Sequence, residues 1–358
     1  MAKGNKKSSR GKKVIRGILL TLLILVALVL VGARIYFRAP VNAYYKASKK
    51  AFVIPGLMDN MVPQGLDYIE DTNTYLVCGY QKDGSPSRVY RVEGSSGKDN
   101  GYIIMGDEEG NAIKPHAGGL AAHDEYLFVA GDEDALINVY SLSDVLSANS
   151  GDVVKKLGSF PTQFLDDKIN VAWICFSDDR MIVGEFYRDP NYMTDESHWV
   201  TTTTGEENRA LAYCYAFGDG EDSVFGIETL PSEIYSMPGL VQGMTVKDGK
   251  IWTSQSYGTA KSTISCYDIS YSEPVEFMGR IGSGLPEATV TVPVYALDSS
   301  TRAFYFEAPP MAEEIIFANG KLLTMCESAS MKYFFGNLTG GRWCYATDID
   351  YFAKDSEV

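Results

Sequence analysis

Two adjacent carboxylates, Glu313 and Glu314, are the side chains in this sequence best suited to acid–base chemistry or to binding a hard cation. Ca²⁺ prefers oxygen ligands, and the amide oxygens of Gln64 and Gln242 can extend such a set. His116 is one of three histidines and has the chemistry of a general base. We therefore take Glu313, Glu314 and His116 as catalytic candidates, and the two glutamates with the two glutamines as candidate Ca²⁺ ligands. The alternative is that these groups only line a wet channel.

Motifs for nucleophilic or phosphate chemistry are missing from the sequence. It contains no Gly-x-Ser-x-Gly elbow, no His-Glu-x-x-His pair and no glycine-rich phosphate loop. Serine nucleophile chemistry therefore has no support, and no cofactor other than a divalent cation is indicated. Whether the protein is an enzyme stays open at this level.

The candidate catalytic and metal-binding residues lie within a repeated sequence pattern. Four short patterns recur in a fixed order along the chain, each typical of one β-strand. The first strands begin at Gln64, Gly118, Ala172, Gln242 and Glu313, and the third strands contain Tyr90, Tyr140, Tyr215, Tyr267 and Tyr345. The fourth pattern ends at Met105-Gly106, Phe160-Pro161, Leu230-Pro231 and Ile281-Gly282, and its fifth copy, Ile54-Pro55, precedes the first repeat.

Repeated units of four antiparallel strands are typical of β-propellers. The displaced fifth copy predicts that a strand at residues 51–54 completes the sheet containing Cys344 and so closes the ring, because an open edge would invite aggregation. The predicted fold is all-β: a five-bladed β-propeller closed by its amino-terminal strand and preceded by one transmembrane helix. A sixth, degenerate blade within residues 283–312 is the alternative.

Spacings between the strand patterns place the longest insertions on one face. The connection after the second strand of the third repeat spans about 30 residues, and the segment before the fifth repeat is of similar length. Long loops on a rigid scaffold are where binding concentrates. The predicted ligand-binding residues are those at strand entrances and exits on this face: Gln64, His116, Glu185, Tyr187, Arg188, His198, Gln242, Tyr257 and Glu327, with Asp132, Asp298 and Arg302 nearby.

Gly17 to Ala33 is an uncharged apolar run between Arg16 and Arg34, long enough for a short membrane span. Seven basic residues precede it, which predicts a cytoplasmic amino terminus. The expected organisation is a basic cytoplasmic tail (1–16), a signal-anchor helix (17–37), a tether (38–50) and an extracytoplasmic propeller (51–358) in the cell membrane. A cleaved signal peptide and a secreted body are the alternative.

Charge and cysteine usage restrict the partners. Residues 1–38 hold nine of the 32 basic residues and no acid, so the rest of the chain has 23 basic against 46 acidic residues. A body this acidic does not neutralise phosphates, which excludes nucleic acid as a partner.

Cys214, Cys266 and Cys344 share a repeat position where other copies have valine, which predicts small buried side chains. A disulfide between Cys326 and Cys344 is the alternative.

Several segments, among them Ser85 to Arg88, His116 to Gly119, Glu185 to Arg188 and Ala308 to Glu314, resemble an uncharacterised family of secreted or membrane-anchored bacterial β-propeller proteins. That resemblance implies fold and location and carries no known activity. The Thr-rich segment Thr201 to Gly205 and the amino-terminal anchor are also similar to calcium-activated nucleotidases (apyrases). This weaker resemblance implies a five-bladed fold with calcium on the axis, where Gln64, Gln242 and Glu313 would stand.

Three functions are compatible with these features. The first is a binding module for a small polar or carbohydrate-like ligand at the long-loop face. The second is a metal-dependent hydrolase of phosphoesters, lactones or glycosides at the axis. The third is a protein-interaction scaffold. The sequence gives neither the ligand nor the oligomeric state.

Overall fold

The computed structural model describes residues 6–131, 135–164, 167–270, 272–280, 289–333 and 335–353. Within this part of the chain the α-helices are Lys6–Arg38 (α1), Asn42–Ala47 (α2), Leu142–Ser147 (α3) and Asp350–Ala353 (α4), with 3₁₀ turns at Leu57–Asp59, Glu196–His198 and Glu327–Ala329. Everything else that is regular is β-strand. The protein is all-β apart from its amino-terminal helix and a few single turns.

The strands follow one another as antiparallel units, in the order of the sequence repeat. The first strand, β1, is Ser48–Val53. The first unit contains β2 (Met61–Ile69), β3 (Thr74–Gln81), β4 (Arg88–Glu93) and β5 (Asp99–Gly106), and the second contains β6 (Leu120–His123), β7 (Tyr126–Ala130), β8 (Leu136–Ser141) and β9 (Val153–Pro161). A short hairpin, β10 (Gln163–Phe164) and β11 (Asp167–Lys168), follows.

The later units carry insertions. The third unit has β12 (Trp173–Phe176), β13 (Arg180–Gly184), β16 (Ala210–Ala216) and β19 (Glu233–Met237), with the inserted hairpins β14 (Val200–Thr201)–β15 (Glu207–Asn208) and β17 (Ser223–Val224)–β18 (Ile227–Glu228). The fourth has β20 (Val241–Lys247), β21 (Lys250–Gln255), β22 (Ser262–Tyr267) and β25 (Arg302–Ala308), with the inserted hairpin β23 (Val275–Arg280)–β24 (Thr289–Ala296). The fifth has β26 (Ala312–Ala318), β27 (Lys321–Cys326) and β28 (Trp343–Thr347).

The first strands of the units surround a common axis. β2 contacts β6, β6 contacts β12, β12 contacts β20, β20 contacts β26, and β26 returns to β2. Buried apolar side chains fill the spaces between neighbouring sheets, for example Phe128, Ile174 and Leu211 between the second and third units. This arrangement of radial sheets around a ring is β-propeller-like.

Glycines allow the inner strands to approach one another closely. A Cβ atom added to Gly119 of the second unit would lie 2.6 Å from the Cα of Trp173 in the third, and one added to Gly243 would lie 2.7 Å from the Cα of Glu314. Contacts this short with backbone atoms leave no room for any side chain. The small residues in the first-strand pattern therefore determine how tightly the ring closes.

Three inner strands begin with a β-bulge. The pairing register shifts between Pro63 and Leu66 in β2, between Val241 and Gly243 in β20, and between Ala312 and Ile315 in β26. A bulge turns the extra residue out of the regular alternation. The polar residues predicted to ring the axis, Gln64, Gln242 and the Glu313–Glu314 pair, occupy these bulges.

The amino-terminal strand completes the fifth unit. β1 pairs antiparallel with β28, with Phe52 opposite Cys344, and gives a sheet in the order β1-β28-β27-β26. The prediction that this strand completes the sheet containing Cys344 is confirmed. It begins three residues earlier than expected, at Ser48.

The prediction for the fourth strand is wrong in two units. In the third unit this strand is Glu233–Met237, so it starts after Leu230-Pro231, and in the fourth it is Arg302–Ala308. Ile281-Gly282 lies outside the described residues. The hairpin β23–β24 instead adds to the third unit's sheet, through parallel pairing of β24 with β19. Residues 289–308, where a sixth blade was the alternative, thus contribute one strand to each of two existing sheets.

This difference also changes which strands one long connection joins. In the fourth unit the long segment, 268–301, joins the third strand to the fourth, whereas the spacing analysis placed it before the first strand of the fifth unit. The error arises because the β23–β24 hairpin has the apolar pattern of a fourth strand. The long insertions therefore do not all leave from one face.

α1 includes the apolar run expected to cross a membrane. Among the described residues, Gly11–Arg38 is the one helix long and apolar enough to span a bilayer, and the most apolar part of it makes no contact with the body. The segment predicted as a tether is folded: α2 packs on the body, with Val41 and Tyr44 fully buried beside Phe306 and Tyr345.

Candidate functional site

Loops joining the second to the third strands, and the fourth to the first, emerge at one end of the units. This end is called the mouth face below. It contains the connection 185–209 of the third unit, called the lid, and the connection 327–342 of the fifth unit. The residues predicted to bind a ligand lie on this face, and the structure separates them into three groups with different environments.

The first group, the axial cluster, gathers around the carboxylate of Glu327. The hydroxyls of Tyr80 and Tyr333 donate to its Oε1 over 3.2 and 3.1 Å. Lys332 donates to the Tyr80 hydroxyl and adds a cation beside the carboxylate. Burial raises the pKa of Glu327, while the charge of Lys332 and the phenol hydrogen bonds oppose that shift. The group is therefore a partly desolvated carboxyl held by phenols from two different units.

His116 and Gln64 extend the axial cluster. The Nε2 atom of His116 lies 2.9 Å from Oε1 of Gln64, and the imidazole stacks on the ring of Tyr80 with 4.6 Å between centroids. Gln64 is buried at the bulge of β2, whereas His116 is exposed. The predicted proximity of His116 and Gln64 at the axis is thus found, and Tyr80 connects them to Glu327.

Glu313 and Glu314 take different directions, as expected for neighbours on a strand. Both are buried, at 2% and 1% exposure. Burial raises the pKa of Glu313, and the charge of Glu327 raises it further. Burial also raises the pKa of Glu314, and the charges of Asp67 and Glu313 add to the effect.

The Glu314 carboxylate lies on the axis itself. A Cβ atom at Gly119, on the opposite side of the ring, would be 2.8 Å from its Oε2. Neither carboxylate oxygen has a hydrogen-bond partner among the described residues. The backbone amides of Leu120 and Met244 are near enough to lower its pKa, but by less than burial raises it. Asp67, whose pKa burial raises to about 6, faces the same space.

A calcium site at these residues stays a prediction. Among the described residues no group of three or more His, Cys, Asp or Glu side chains is arranged to hold a metal ion. The Gln64 amide donates to the carbonyl of Pro63 and its oxygen lies 2.9 Å from Nε2 of His116. Gln242 is half-buried at its bulge.

The second group consists of His198 and Glu185, and it is buried under the lid. The Nδ1 atom of His198 lies 2.8 Å from Oε1 of Glu185, and its Nε2 lies 3.0 Å from Oδ1 of Asp167. Glu185 also accepts the backbone N–H of Leu211. Burial alone lowers the pKa of His198, but its hydrogen bonds to Asp167 and Glu185 and the charges of these two carboxylates raise it to about 10.

His198 is therefore an imidazolium between two carboxylates, with 1% of the residue exposed. Both of its nitrogens have a carboxylate partner, so the contacts described here join the lid to the body. Sequence analysis did not single out Asp167, because it lies in the connection between the second and third units and no repeat pattern covers it.

The third group lines an open cleft of about 440 Å³ between the lid and the β19–β20 connection, called the arginine cleft. Its lining residues are Tyr187, Arg188, Asp189, Glu207, Arg209, Gly239 and Leu240. Tyr187 and Arg188 were predicted to bind a ligand, and the structure places them together here. Arg209 was not predicted, although it immediately precedes the third strand of its unit.

Aromatic rings hold both guanidinium groups of this cleft. Arg188 stacks on the ring of Tyr257, with 3.8 Å from Cζ to the centroid, and Arg209 stacks on Trp199 at 4.4 Å. Arg209 also donates to the Tyr187 hydroxyl over 3.0 Å. The buried Nη1 atom of Arg188 has no hydrogen-bond partner within the described part of the chain. A buried guanidinium donor normally has an acceptor, so this atom is an exception to the usual pairing of buried polar groups.

Two predicted neighbours of the site have other positions. Asp298 contacts the lid, where its Oδ2 accepts the Thr204 hydroxyl over 3.0 Å, so it supports the loop. The guanidinium of Arg302 lies over Tyr305, on an outer strand. Asp132 is outside the described residues.

The six cysteines are all free and buried: Cys78, Cys175, Cys214, Cys266, Cys326 and Cys344. Burial raises the pKa of Cys344, as expected for a thiol in an apolar sheet interface. The prediction that Cys214, Cys266 and Cys344 are small buried side chains is confirmed. The alternative of a bond between Cys326 and Cys344 is not realised.

No protein-family model matches this sequence, and a search of curated proteins gives no match. Solved structures with a related fold include the glutaminyl cyclase of Myxococcus xanthus, at 10% identity over 84% of this chain and 94% of that one, with a TM-score of 0.41. The PQQ-bound aldose sugar dehydrogenase of Streptomyces coelicolor matches at 12% identity, over 83% and 95% of the two chains, with a TM-score of 0.40.

A putative 6-phosphogluconolactonase of Bacteroides uniformis matches at 11% identity over 73% of this chain and 77% of that one, with a TM-score of 0.36. These neighbours are β-propeller-like proteins, and at this level of similarity no activity follows from them. The resemblance to apyrases is not shown by these comparisons.

Proposed function

We propose that this protein is a membrane-anchored, five-bladed β-propeller whose mouth face binds a small polar ligand in the arginine cleft. The five strand units are taken as the five blades, and α1 as the anchor that holds the body outside the cytoplasm. The observation that carries the binding function is that two guanidinium groups, those of Arg188 and Arg209, line one open cleft and are both held by aromatic rings.

The chemistry of the cleft suggests which ligand it takes. Arg188 and Arg209 suit a carboxylate or a phosphate, which guanidinium groups bind through paired hydrogen bonds. Asp189 and Glu207 line the same cleft and can accept hydrogen bonds from hydroxyl or amino groups. The ring of Tyr187 lines the cleft and can pack against an apolar part of the ligand. A ligand with one anionic group and several donors, such as a uronic acid or an amino acid, satisfies all of these groups.

The test is ligand binding by the purified full-length protein in detergent. Glucuronate and galacturonate are compared with glucose and galactose, and amino acids and inorganic phosphate complete the panel, with the shift in unfolding temperature and then calorimetry as readouts. We expect an anionic member to bind and its neutral counterpart not to bind. Arg188→Met should weaken binding by about ten- to a hundredfold, the value of a charge-assisted hydrogen bond.

Arg302→Met is the matched control, because Arg302 also stacks on a tyrosine but lies outside the cleft. The proposal fails if no member of the panel binds, or if Arg188→Met and Arg302→Met bind the active member equally well. Loss of binding in both variants would indicate general destabilisation, which the unfolding temperature of each variant reports separately.

Acid–base catalysis at the axial cluster is the second candidate function. It is favoured by the buried carboxyl pair Glu313–Glu327: burial raises the pKa of both groups, the charge of Glu327 raises that of Glu313 further, and the charge of Lys332 opposes both shifts. Carboxyls with raised pKa values beside phenols are suited to proton transfer. Hydrolysis assays test this second candidate function. The substrates are nitrophenyl phosphates, esters and glycosides and simple lactones, each with and without Ca²⁺. Hydrolysis lost in Glu327→Gln and retained in Glu307→Gln would support this reading.

A further inference from the structure

The last turn of the membrane helix is attached to the mouth face. Arg34 donates to the backbone carbonyl of Asn337 over 2.7 Å, and Phe37 stacks on Phe335 with 5.8 Å between centroids. Arg38 donates to the backbone of the same connection. These three residues lie on one side of a helix, at spacings of three and four. The helix therefore meets the body at the connection 327–342, on the face that contains the proposed site.

The link between the membrane helix and the body is short. The apolar turns before Arg34 are exposed, a three-residue bend joins α1 to α2, and α2 continues directly into β1. Arginines at the end of a membrane helix lie at the level of the lipid headgroups. A connection bonded to Arg34 and Arg38 is consequently within a few ångströms of that level.

Exposed apolar side chains are found on several loops of the mouth face. Their exposed fractions range from 40 to 83%, and they are Met58, Tyr192, Met193, Tyr257 and Met331. They belong to the first, third, fourth and fifth units, so they surround the mouth. Among the other exposed apolar side chains of the body, Leu157 and Tyr305 lie on outer strands and Leu230 lies on the opposite face.

The opposite face is acidic. Exposed carboxylates occupy its tight turns and its longer connections: Glu70, Asp71, Asp124, Glu125, Asp178, Asp179, Asp219, Glu221, Asp222 and Asp248. A membrane surface with anionic lipids repels such a face. The mouth face also carries exposed carboxylates, among them Asp59, Asp83, Glu108, Asp195 and Glu206, together with the exposed lysines Lys82, Lys261 and Lys332. Charge therefore does not distinguish the two faces, and it is the exposure of apolar side chains that favours the same orientation as the helix contacts.

We infer that the mouth face lies against the bilayer, with the exposed methionine and tyrosine side chains in the headgroup region. The inference rests on the anchoring function proposed for α1. The partner of this surface is the lipid bilayer. The arginine cleft then opens at the membrane surface, and its ligand reaches it laterally from the headgroup layer or between the protein and the lipids.

Site-specific labelling of the full-length protein tests this orientation. The six native cysteines are buried, so a thiol introduced on the surface is labelled selectively with a nitrobenzoxadiazole fluorophore. Met331→Cys and Met58→Cys report the mouth face, and Leu230→Cys and Glu125→Cys report the opposite face at comparable exposure. The labelled proteins are reconstituted in phosphatidylcholine–phosphatidylglycerol vesicles that contain lipids with a headgroup-level nitroxide quencher.

We expect the mouth-face labels to be quenched severalfold more than the opposite-face labels. Equal quenching at the two faces, or stronger quenching at Leu230→Cys, would overturn the inference. Flotation of the vesicles is measured first, and a protein that does not float with them also overturns it. Because no ligand is present, a failure here is distinct from a failure of the arginine cleft to bind the sugar and amino acid panel.

Discussion

His198 and Glu185 form a buried ion pair in which Nδ1 of the imidazole lies 2.8 Å from Oε1 of the carboxylate. The histidine lies in the middle of the lid and the glutamate is the first lid residue, directly after β13, so the pair ties the lid to the end of that strand. Asp167 provides a second carboxylate on the other nitrogen. Breaking such a buried pair leaves an uncompensated charge and is strongly destabilising.

We predict that His198→Gln lowers the free energy of unfolding by about 3–5 kcal/mol at pH 6.5. The pKa of His198 is raised in the folded state from 6.5 to about 10. Its contribution is therefore complete below pH 6.5 and is lost as the pH rises through 10. Urea unfolding at pH 6.5, 8 and 10 should show the difference between wild type and variant shrinking with pH.

Glu207→Gln is the control for this change, since Glu207 is an exposed lid residue bonded only to Thr201 among the described contacts. It should leave stability almost unchanged at each pH. Parallel pH curves for the wild type and His198→Gln would show that the imidazolium does not hold the lid.

Glu314→Gln should stabilise the protein at alkaline pH. The folded-state pKa of Glu314 is raised above its ordinary value of 4.5, so its stabilising contribution is present below pH 4.5 and is lost as the pH rises through the raised pKa. Glutamine has nearly the same shape and does not ionise. The variant should be close to wild type at pH 5 and gain by up to about 1.4 kcal/mol per pH unit above that.

Thermal unfolding of the two proteins between pH 5 and pH 8 measures this gain. Glu307→Gln, which removes an exposed carboxylate paired with Lys261, should show no comparable trend. A variant less stable than wild type at pH 8 would mean that the Glu314 carboxylate has a stabilising partner on the axis, such as a bound cation.

Gly119→Ala should destabilise the ring by about 1–3 kcal/mol, the usual cost of forcing extra volume into a packed core. The new methyl group would lie 2.6 Å from the backbone of Trp173, which cannot move without shifting β12. Gly220→Ala provides the comparison, because its nearest neighbours would be 3.8 Å away. Denaturant unfolding of both variants measures the difference, and equal stabilities would contradict the close inner-strand contact.

Phe52→Ala should cost about 3–5 kcal/mol, because it removes a buried aromatic ring from the strand that completes the fifth unit. Phe52 is 2% exposed, while its neighbour Val53 on the other side of the same strand is 37% exposed. Val53→Ala should therefore have a much smaller effect. If the two substitutions are equally mild in thermal unfolding, β1 does not contribute to the closed ring.

The repeat made much of this architecture predictable. Alternating apolar residues such as those around Val77, Val129 and Val183 identify the second strand of each unit, and the displaced Ile54-Pro55 pattern predicts the pairing of β1 with β28. The order of the inner strands follows from the order of the repeats. These features are local, and they depend only on strand periodicity and on the need to remove free edges.

Other features depend on tertiary contacts that no local pattern contains. The apolar residues of β23 and β24 predict a strand but do not determine which sheet it joins. The predicted position of the fourth strand of the fourth unit is therefore wrong. His116, Gln64 and Glu327 were predicted on the mouth face, and the structure brings them together. The environments of Glu185 and His198, by contrast, depend on Asp167 in a distant connection, and Arg209 joins Arg188 only after the lid folds back.

The pairings of β5 with β9 and of β19 with β24 join neighbouring units at their outer edges. In a ring built only from inner-strand contacts, a single unit could detach while the others stayed folded. Here the first and second units share one sheet, the third is bound to a hairpin from the fourth, and the fifth requires the start of the chain. Loss of any of the first four units therefore breaks a hydrogen-bonded sheet in its neighbour, so the first and second units, and the third and fourth, should unfold together, and loss of the fifth should release the start of the chain.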